Sequence, residues 1–417
     1  MQPKQYGVFS LPVIVGALGF FVDIYDLQVF GLTRIASFKD LGITGDAAKT
    51  VGESVVNWQM FGLVIGGIAW GVLGDKKGRK SVLFGSILLY SLATIANGFV
   101  QDINTYTILR FVAGLGLAGE LGASITLTGE MLPKEKRGIA AAIIATSGVM
   151  GTIVAYGVLD LSNENWRLCY FVGGGMGLAL LFLRMAVIDS SMYSSVKEGG
   201  VKMGKLSMIF TSRERFIRYF RGIMIGLPVW YVIGILIFFG NDFAANFGIP
   251  AGKGEGQFYQ PKALMLQYVA LAFGDMSAGL LANYLKSRKK TLYIYYSILT
   301  VFIALFFILK GGGSPLGMYL LCMGLGFGAG ISVLYITMSA EQFGTNLRAT
   351  AAISIPNLVR GFTPLMLFLF QFLRSKTVFN DYITGAWVVG LIVMICSWIA
   401  VYYTKETFGK DLDFVEK

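Results

Sequence analysis

The stretch that decides the fold is GVLGDKKGRK, Gly71 to Lys80, a polar and basic turn set between two long apolar runs. A second copy follows at GLLANYLKSRKK, Gly279 to Lys290. Each has Gly, then Leu two residues on (Leu73, Leu281), then an acid or amide (Asp75, Asn283), then a basic run. The start points lie 208 residues apart. A second pair repeats at nearly the same offset: EMLPKEKRGIAAA from Glu130 and EQFGTNLRATAA from Glu341, 211 residues apart. Each carries Glu, then Arg at +7 (Arg137, Arg348), then a small residue. Two motifs repeating in register mean two halves built alike.

Outward from these turns the chain is apolar. Of 417 residues 55% are hydrophobic and only 14% charged, against about 25% charged in a soluble domain. So little polar surface implies lipid as the solvent. The 54 glycines suit closely packed membrane helices. At roughly 20 apolar residues per span, twelve fit: 8–32, 50–74, 80–100, 105–131, 138–160, 166–188, 222–242, 261–284, 290–309, 315–340, 349–372 and 381–403. The leader MQPKQYGVFS is read as running into the first span, not as a cleaved signal. The expected fold is therefore an all-α membrane protein of twelve transmembrane helices in two six-helix bundles. Its parts are an N-terminal bundle, 1–188; a cytoplasmic linker, 189–221; a C-terminal bundle, 222–403; and a tail, 404–417. The basic, Phe-rich linker segment from Met203 to Gly222 is expected to form an amphipathic helix on the inner leaflet.

The net charge of +11 could signal nucleic acid, but its distribution favours topology. Loops on the side of the termini hold 23 Lys and Arg, and those on the other side 8. The expectation is a cell (plasma or inner) membrane protein with both termini cytoplasmic, monomeric, with no nucleic-acid partner. There is no histidine, the cysteines Cys169, Cys322 and Cys396 lack metal spacing, and no phosphate-cradling loop is present. No enzyme, cofactor or metal site is expected. Proton chemistry must then fall to carboxylates. Paired halves with a central site suit an alternating-access carrier.

These residues carry a resemblance that covers essentially the whole chain. GVLGDKKGRK resembles the signature loop of the major facilitator superfamily, and RFVAGLGLAGE, from Arg110, its fourth-helix Arg-and-glycine motif. The NWR triplet, Asn165 to Arg167, and the C-terminal ETFGKDLDFVE are similar to others of its motifs. GFFVDIYDLQVF and AGELGASITLTGE resemble the first and fourth helices of its phosphate, metabolite and aromatic-acid proton symporters. Two departures stand out: Asn283 replaces the acid of the second signature loop, and the fifth helix lacks the glycine-proline pattern of drug/proton antiporters. The second points to symport or uniport.

A carboxylate inside a span costs roughly 2.5–3.5 kcal/mol. Asp23, Asp26, Glu120 and Asp275 all sit there. Asp23 and Asp26 share a helix face and disfavour each other's charge, so the pair can hold and release a proton; helix-helix hydrogen bonding is the plainer role. At ~1.5 Å per residue, Asp26 and Arg110 fall at one depth. An ion pair between them is expected, which the resemblance supports, either opening on protonation or remaining static. Glu120 lies deeper, as a proton relay, a substrate contact or a capped structural acid.

In the second half Arg360 lies mid-span in IPNLVRGFTP, where Pro356, Gly361 and Pro364 predict a broken helix. It would meet an anionic substrate or pair with Asp275. Asn357, Trp230, Tyr231, Gln267 and Tyr268 are further cavity candidates, although membrane aromatics more often face lipid or other helices. Asp75, Arg79, Glu130 and Arg137 form a candidate cytoplasmic gate, or only helix-end anchors. The leading function is proton-coupled symport of a small organic or inorganic anion. A sugar or polyol porter, a uniporter, and a transporter-like ligand sensor remain open.

Overall fold

The computed structural model describes residues 11–77, 79–131, 137–188 and 207–409. The chain divides into two compact units, Met1–Val201 and Lys202–Lys417. The first holds α1 (Leu11–Asp40), α2 (Gly45–Lys77), α3 (Arg79–Asn97), α4 (Ile103–Met131), α5 (Arg137–Leu161) and α6 (Trp166–Ile188). The second holds α7 (Ser207–Phe210), α8 (Arg213–Tyr231), α9 (Gly240–Asn246), α10 (Gln260–Tyr284), α11 (Arg288–Ile308), α12 (Pro315–Gly328), α13 (Ser332–Ala340), α14 (Thr345–Gly361), α15 (Thr363–Leu373) and α16 (Tyr382–Tyr403). Among the described residues, eight helical stretches are long and apolar enough to cross a membrane, with shorter apolar helices at Phe84–Asn97 and Ser147–Leu161. The twelve expected spans account for this order. Spans seven, ten and eleven are each built from more than one helical segment.

Glycine sets the packing within each unit, and does so in the same way twice. In the first, α2 and α4 touch backbone to backbone: a Cβ on Gly114 would overlap the Gln59 carbonyl oxygen, and one on Gly66 the Leu115 carbonyl. In the second, a Cβ on Gly326 of α12 would overlap the Gln267 carbonyl of α10, and one on Gly274 the Phe327 carbonyl. Gln59 and Gln267 are 208 residues apart, the offset of the signature loops. Close approach of this kind replaces the hydrophobic drive that lipid removes.

Three features differ from the sequence reading. The stretch from Arg213 to Arg221, assigned above to a surface amphipathic helix, is the first half of α8 and continues into span seven. Two of its four arginines are used within the unit: Arg218 Nη1 donates to the Gln342 carbonyl (2.7 Å) and Arg221 Nη1 to that of Tyr403 (2.8 Å). They satisfy carbonyls at helix ends that have no intrahelical donor. Span seven also passes through a π-helical stretch, Val232–Ile237, just after Pro228. Span ten is interrupted at 329–331, between α12 and α13. The break expected near Arg360 is present, with α14 ending at Gly361 and α15 starting at Thr363.

The NWR triplet ties the start of α6 to the end of α1. Arg167 pairs with Asp40, donates through Nη2 to the Val100 carbonyl (3.0 Å) and lies 4.3 Å from the Trp166 ring centroid. Trp166 Nε1 donates to the same Asp40 carboxylate (3.2 Å).

Candidate functional site

The charged centre of the first unit is built from α1, α3, α4 and α6. Asp26 and Arg110 are fully buried, and Asp23, one turn earlier on α1, is 1% exposed. Arg110 Nη1 lies 3.6 Å from Asp26 Oδ1. Counting residues along α1 and α4 thus located a real pair. The contact is not a direct hydrogen bond. Thr94 of α3 stands between the two: its hydroxyl donates to Asp26 Oδ1 (2.6 Å) and accepts from Arg110 Nη2 (3.2 Å).

Tyr170 of α6 completes the surround. The Arg110 guanidinium sits 4.8 Å from its ring centroid, a cation-π contact out of reach of water. The Tyr170 hydroxyl is 2.5 Å from that of Tyr106 and accepts from Thr33 (3.3 Å). Tyr25, one residue before Asp26, donates to the Cys169 carbonyl (2.9 Å) and fixes α1 on α6. A buried ion pair is costly unless its remaining donors and acceptors are satisfied. Here they are only partly so: Asp26 Oδ2 and Arg110 Nε make no hydrogen bond.

In the second unit the structure brings Arg360 and Trp230 together. Arg360, in the last turn of α14, is 6% exposed, with its guanidinium 5.6 Å from the Trp230 ring centroid. Asn357, one turn earlier, is buried on the same helix. On α10, Tyr268 is buried, and Gln267 is fully buried with neither amide atom hydrogen-bonded. Two further candidates have hydrogen-bond partners of their own. The Tyr231 hydroxyl donates to the Ala386 carbonyl (2.9 Å) and holds α8 on α16. Asp275 accepts from the Val333 N–H (3.4 Å) at the start of α13, so its carboxylate meets a helix N-terminus rather than Arg360. Glu120, Asp75, Arg79, Glu130 and Arg137 lie on described helices, but their side chains are outside the described set.

Sequence reasoning missed Thr94, Tyr170 and Tyr106. Hydroxyl and aromatic residues in an apolar span carry no periodic signal that separates a charge-site role from ordinary packing.

The family profile described as Major Facilitator Superfamily matches residues 16–364. A putative niacin/nicotinamide transporter of Bacillus subtilis is 26% identical, over 81% of this chain and 82% of its own length. A gentisate transporter of Corynebacterium glutamicum is 23% identical, over 81% of this chain and 75% of its own. The crystal structure of a D-xylose-proton symporter superposes with a TM-score of 0.70 at 15% identity, covering 96% of this chain and 99% of the other.

Proposed function

Since the chain belongs to the Major Facilitator Superfamily, and so is a multi-pass membrane transporter of small molecules rather than an enzyme, we propose that it is a secondary active, proton-coupled symporter of a small organic anion working by alternating access. The observation that carries this reading is the buried Asp26–Arg110 pair. In so dry a setting each charge depends on the other, and protonating Asp26 removes the charge that Arg110 needs. That is a two-state element a proton can bias. Asp23 and Glu120 are proposed to share the proton's path.

Arg360 supports an anionic cargo, because a guanidinium suits a carboxylate and the adjoining Trp230 face suits a flat ring. Asn357, Gln267 and Tyr268 are proposed to complete the substrate contacts, with Asp275 and Tyr231 shaping the walls. Two relatives carry niacin/nicotinamide or gentisate in their names; niacin and gentisate are aromatic carboxylic acids, and nicotinamide is the neutral amide of the first. Aromatic carboxylates are therefore the proposed substrate class. Asp75, Arg79, Glu130 and Arg137 are proposed as a cytoplasmic gate. The charge distribution supports cytoplasmic termini in a cell membrane, and the protein is proposed to act as a monomer.

Proteoliposomes with an inward proton gradient, offered labelled nicotinate, gentisate or xylose, test the reading. Accumulation of an acid above equilibrium, lost in Arg360→Ala, is the expected result. Accumulation of xylose and of neither acid would replace it with a sugar porter.

A further inference from the structure

The 3.6 Å separation of Arg110 and Asp26 is too long for a hydrogen bond. Thr94 fills the gap with one hydroxyl, which has a single proton to donate and two lone pairs. The proton goes to Asp26 Oδ1 at 2.6 Å, and a lone pair receives Arg110 Nη2 at 3.2 Å. Thr94 faces Gly173 of α6, where a Cβ would come 3.6 Å from Thr94 Cγ2. Oδ1 takes the Thr94 hydroxyl and lies 3.6 Å from Arg110 Nη1, while Oδ2, equally buried, accepts no hydrogen bond.

We propose that Thr94 is a positioning residue of the proton site: its hydroxyl holds Asp26 and Arg110 as a bridged pair and leaves Asp26 Oδ2 as the atom that takes the proton. This rests on the reading of Asp26 as the coupling carboxylate. The step is a simple addition. A hydronium ion gives its proton to the Oδ2 lone pair, an O–H bond forms, and water departs. The neutral acid no longer balances Arg110, and the Thr94 bond to Oδ1 weakens because its acceptor has lost its charge.

Among the described residues, charged or titratable groups near the pair include Asp23 and Tyr25 on α1, Tyr106 on α4, and Cys169 and Tyr170 on α6. Tyr25 and Cys169 are engaged with each other through the Cys169 carbonyl, and Tyr106 with Tyr170. From α5, Gly148 and Gly151 meet α1, and neither titrates. Thr94 is the hydroxyl that touches both members of the pair.

Infrared titration of the purified full chain tests this without a substrate. The protonated-carboxyl band of Asp26 is assigned by its loss in Asp26→Asn and followed between about pH 4 and pH 10. Thr94→Val keeps the shape and removes the hydroxyl. Its band midpoint is expected to move upward by about one pH unit, since a hydrogen bond that favoured the charged form is gone. Thr94→Ala should move it likewise if Thr94→Val folds poorly. Thr94→Ser should leave it within a few tenths of a unit. An unmoved midpoint in both Val and Ala variants overturns the proposal, as does an equal shift in Thr94→Ser, or no Asp26 band in the wild type. The transport reading fails separately: gradient-driven accumulation that survives in Asp26→Asn removes the coupling and leaves the bridge intact.

Discussion

Arg288 grips Glu341 with two parallel hydrogen bonds, Nε at 2.7 Å and Nη2 at 2.6 Å from the two carboxylate oxygens. The arginine comes from the second copy of the signature loop, and the glutamate opens the second copy of the Glu-and-Arg motif. The two side chains are 20% and 12% exposed, so solvent screens them only in part. Bidentate geometry adds orientation to charge.

Breaking that grip should loosen the second unit. Glu341→Gln is expected to cost about 1–2 kcal/mol, as for a charge-assisted hydrogen bond lost at a partly buried site. A double-mutant cycle with Arg288→Gln should return a coupling energy of about 1 kcal/mol. Melting of the detergent-solubilised variants measures both. Additive effects of the two substitutions would show that the contact contributes nothing to stability.

Beside this pair, Glu406 of the tail closes the start of α11. Its carboxylate accepts from the Ser287 hydroxyl and from the backbone N–H groups of Arg288 (3.1 Å) and Lys289 (3.1 Å). Burial pushes the Glu406 carboxyl up, but the hydrogen bonds from Ser287, Phe408, Lys289 and Arg288 outweigh it and hold the group below the ordinary glutamate value. A carboxyl so lowered adds stability above its unfolded value and loses it as pH falls through the folded one. Glu406→Gln should therefore melt about 2 °C below wild type at neutral pH. The gap should close as acid protonates the wild-type side chain. A gap constant from pH 7 down to pH 3, well below the free glutamate value of about 4.3, would assign the effect to shape rather than charge.

Two adjacent glycines of α2 give a control within one helix. A Cβ on Gly66 would overlap the Leu115 carbonyl of α4, whereas one on Gly67 meets nothing within 4 Å. Gly66→Ala should destabilise by about 1–3 kcal/mol, because α2 and α4 must part. Gly67→Ala should be neutral or stabilising by up to about 1 kcal/mol from helix propensity alone. Thermal melts of the two variants decide it. Equal effects would contradict the backbone contact.

What the sequence made legible follows from where the physics is periodic or costly. Asp26 and Arg110 could be paired because a charge in lipid demands a partner at its own depth, and depth is a matter of counting residues. The break after Gly361 could be read because Pro356 and Pro364 write it into the chain. The interruption at 329–331 could not, since FGAGIS contains no proline and glycine is common in every span. The π-helical turn after Pro228 has no residue pattern of its own. The partner of Asp275 was hidden for a related reason. The donor that meets it, Val333 N–H, exists only because span ten breaks there. The basic start of α8 was read as a surface helix because its apolar residues are interleaved with arginines, and the carbonyls that Arg218 and Arg221 satisfy lie more than 100 residues away in sequence.

Protonation of Asp26 is proposed to drive transport. Its most direct test compares wild type and Asp26→Asn in proteoliposomes, with labelled nicotinate or gentisate measured in two modes. Under an inward proton gradient the wild type should concentrate the acid and Asp26→Asn should only equilibrate it, while exchange of labelled for unlabelled acid without a gradient continues in both. Asp26→Asn that still concentrates the acid against its gradient would contradict the account.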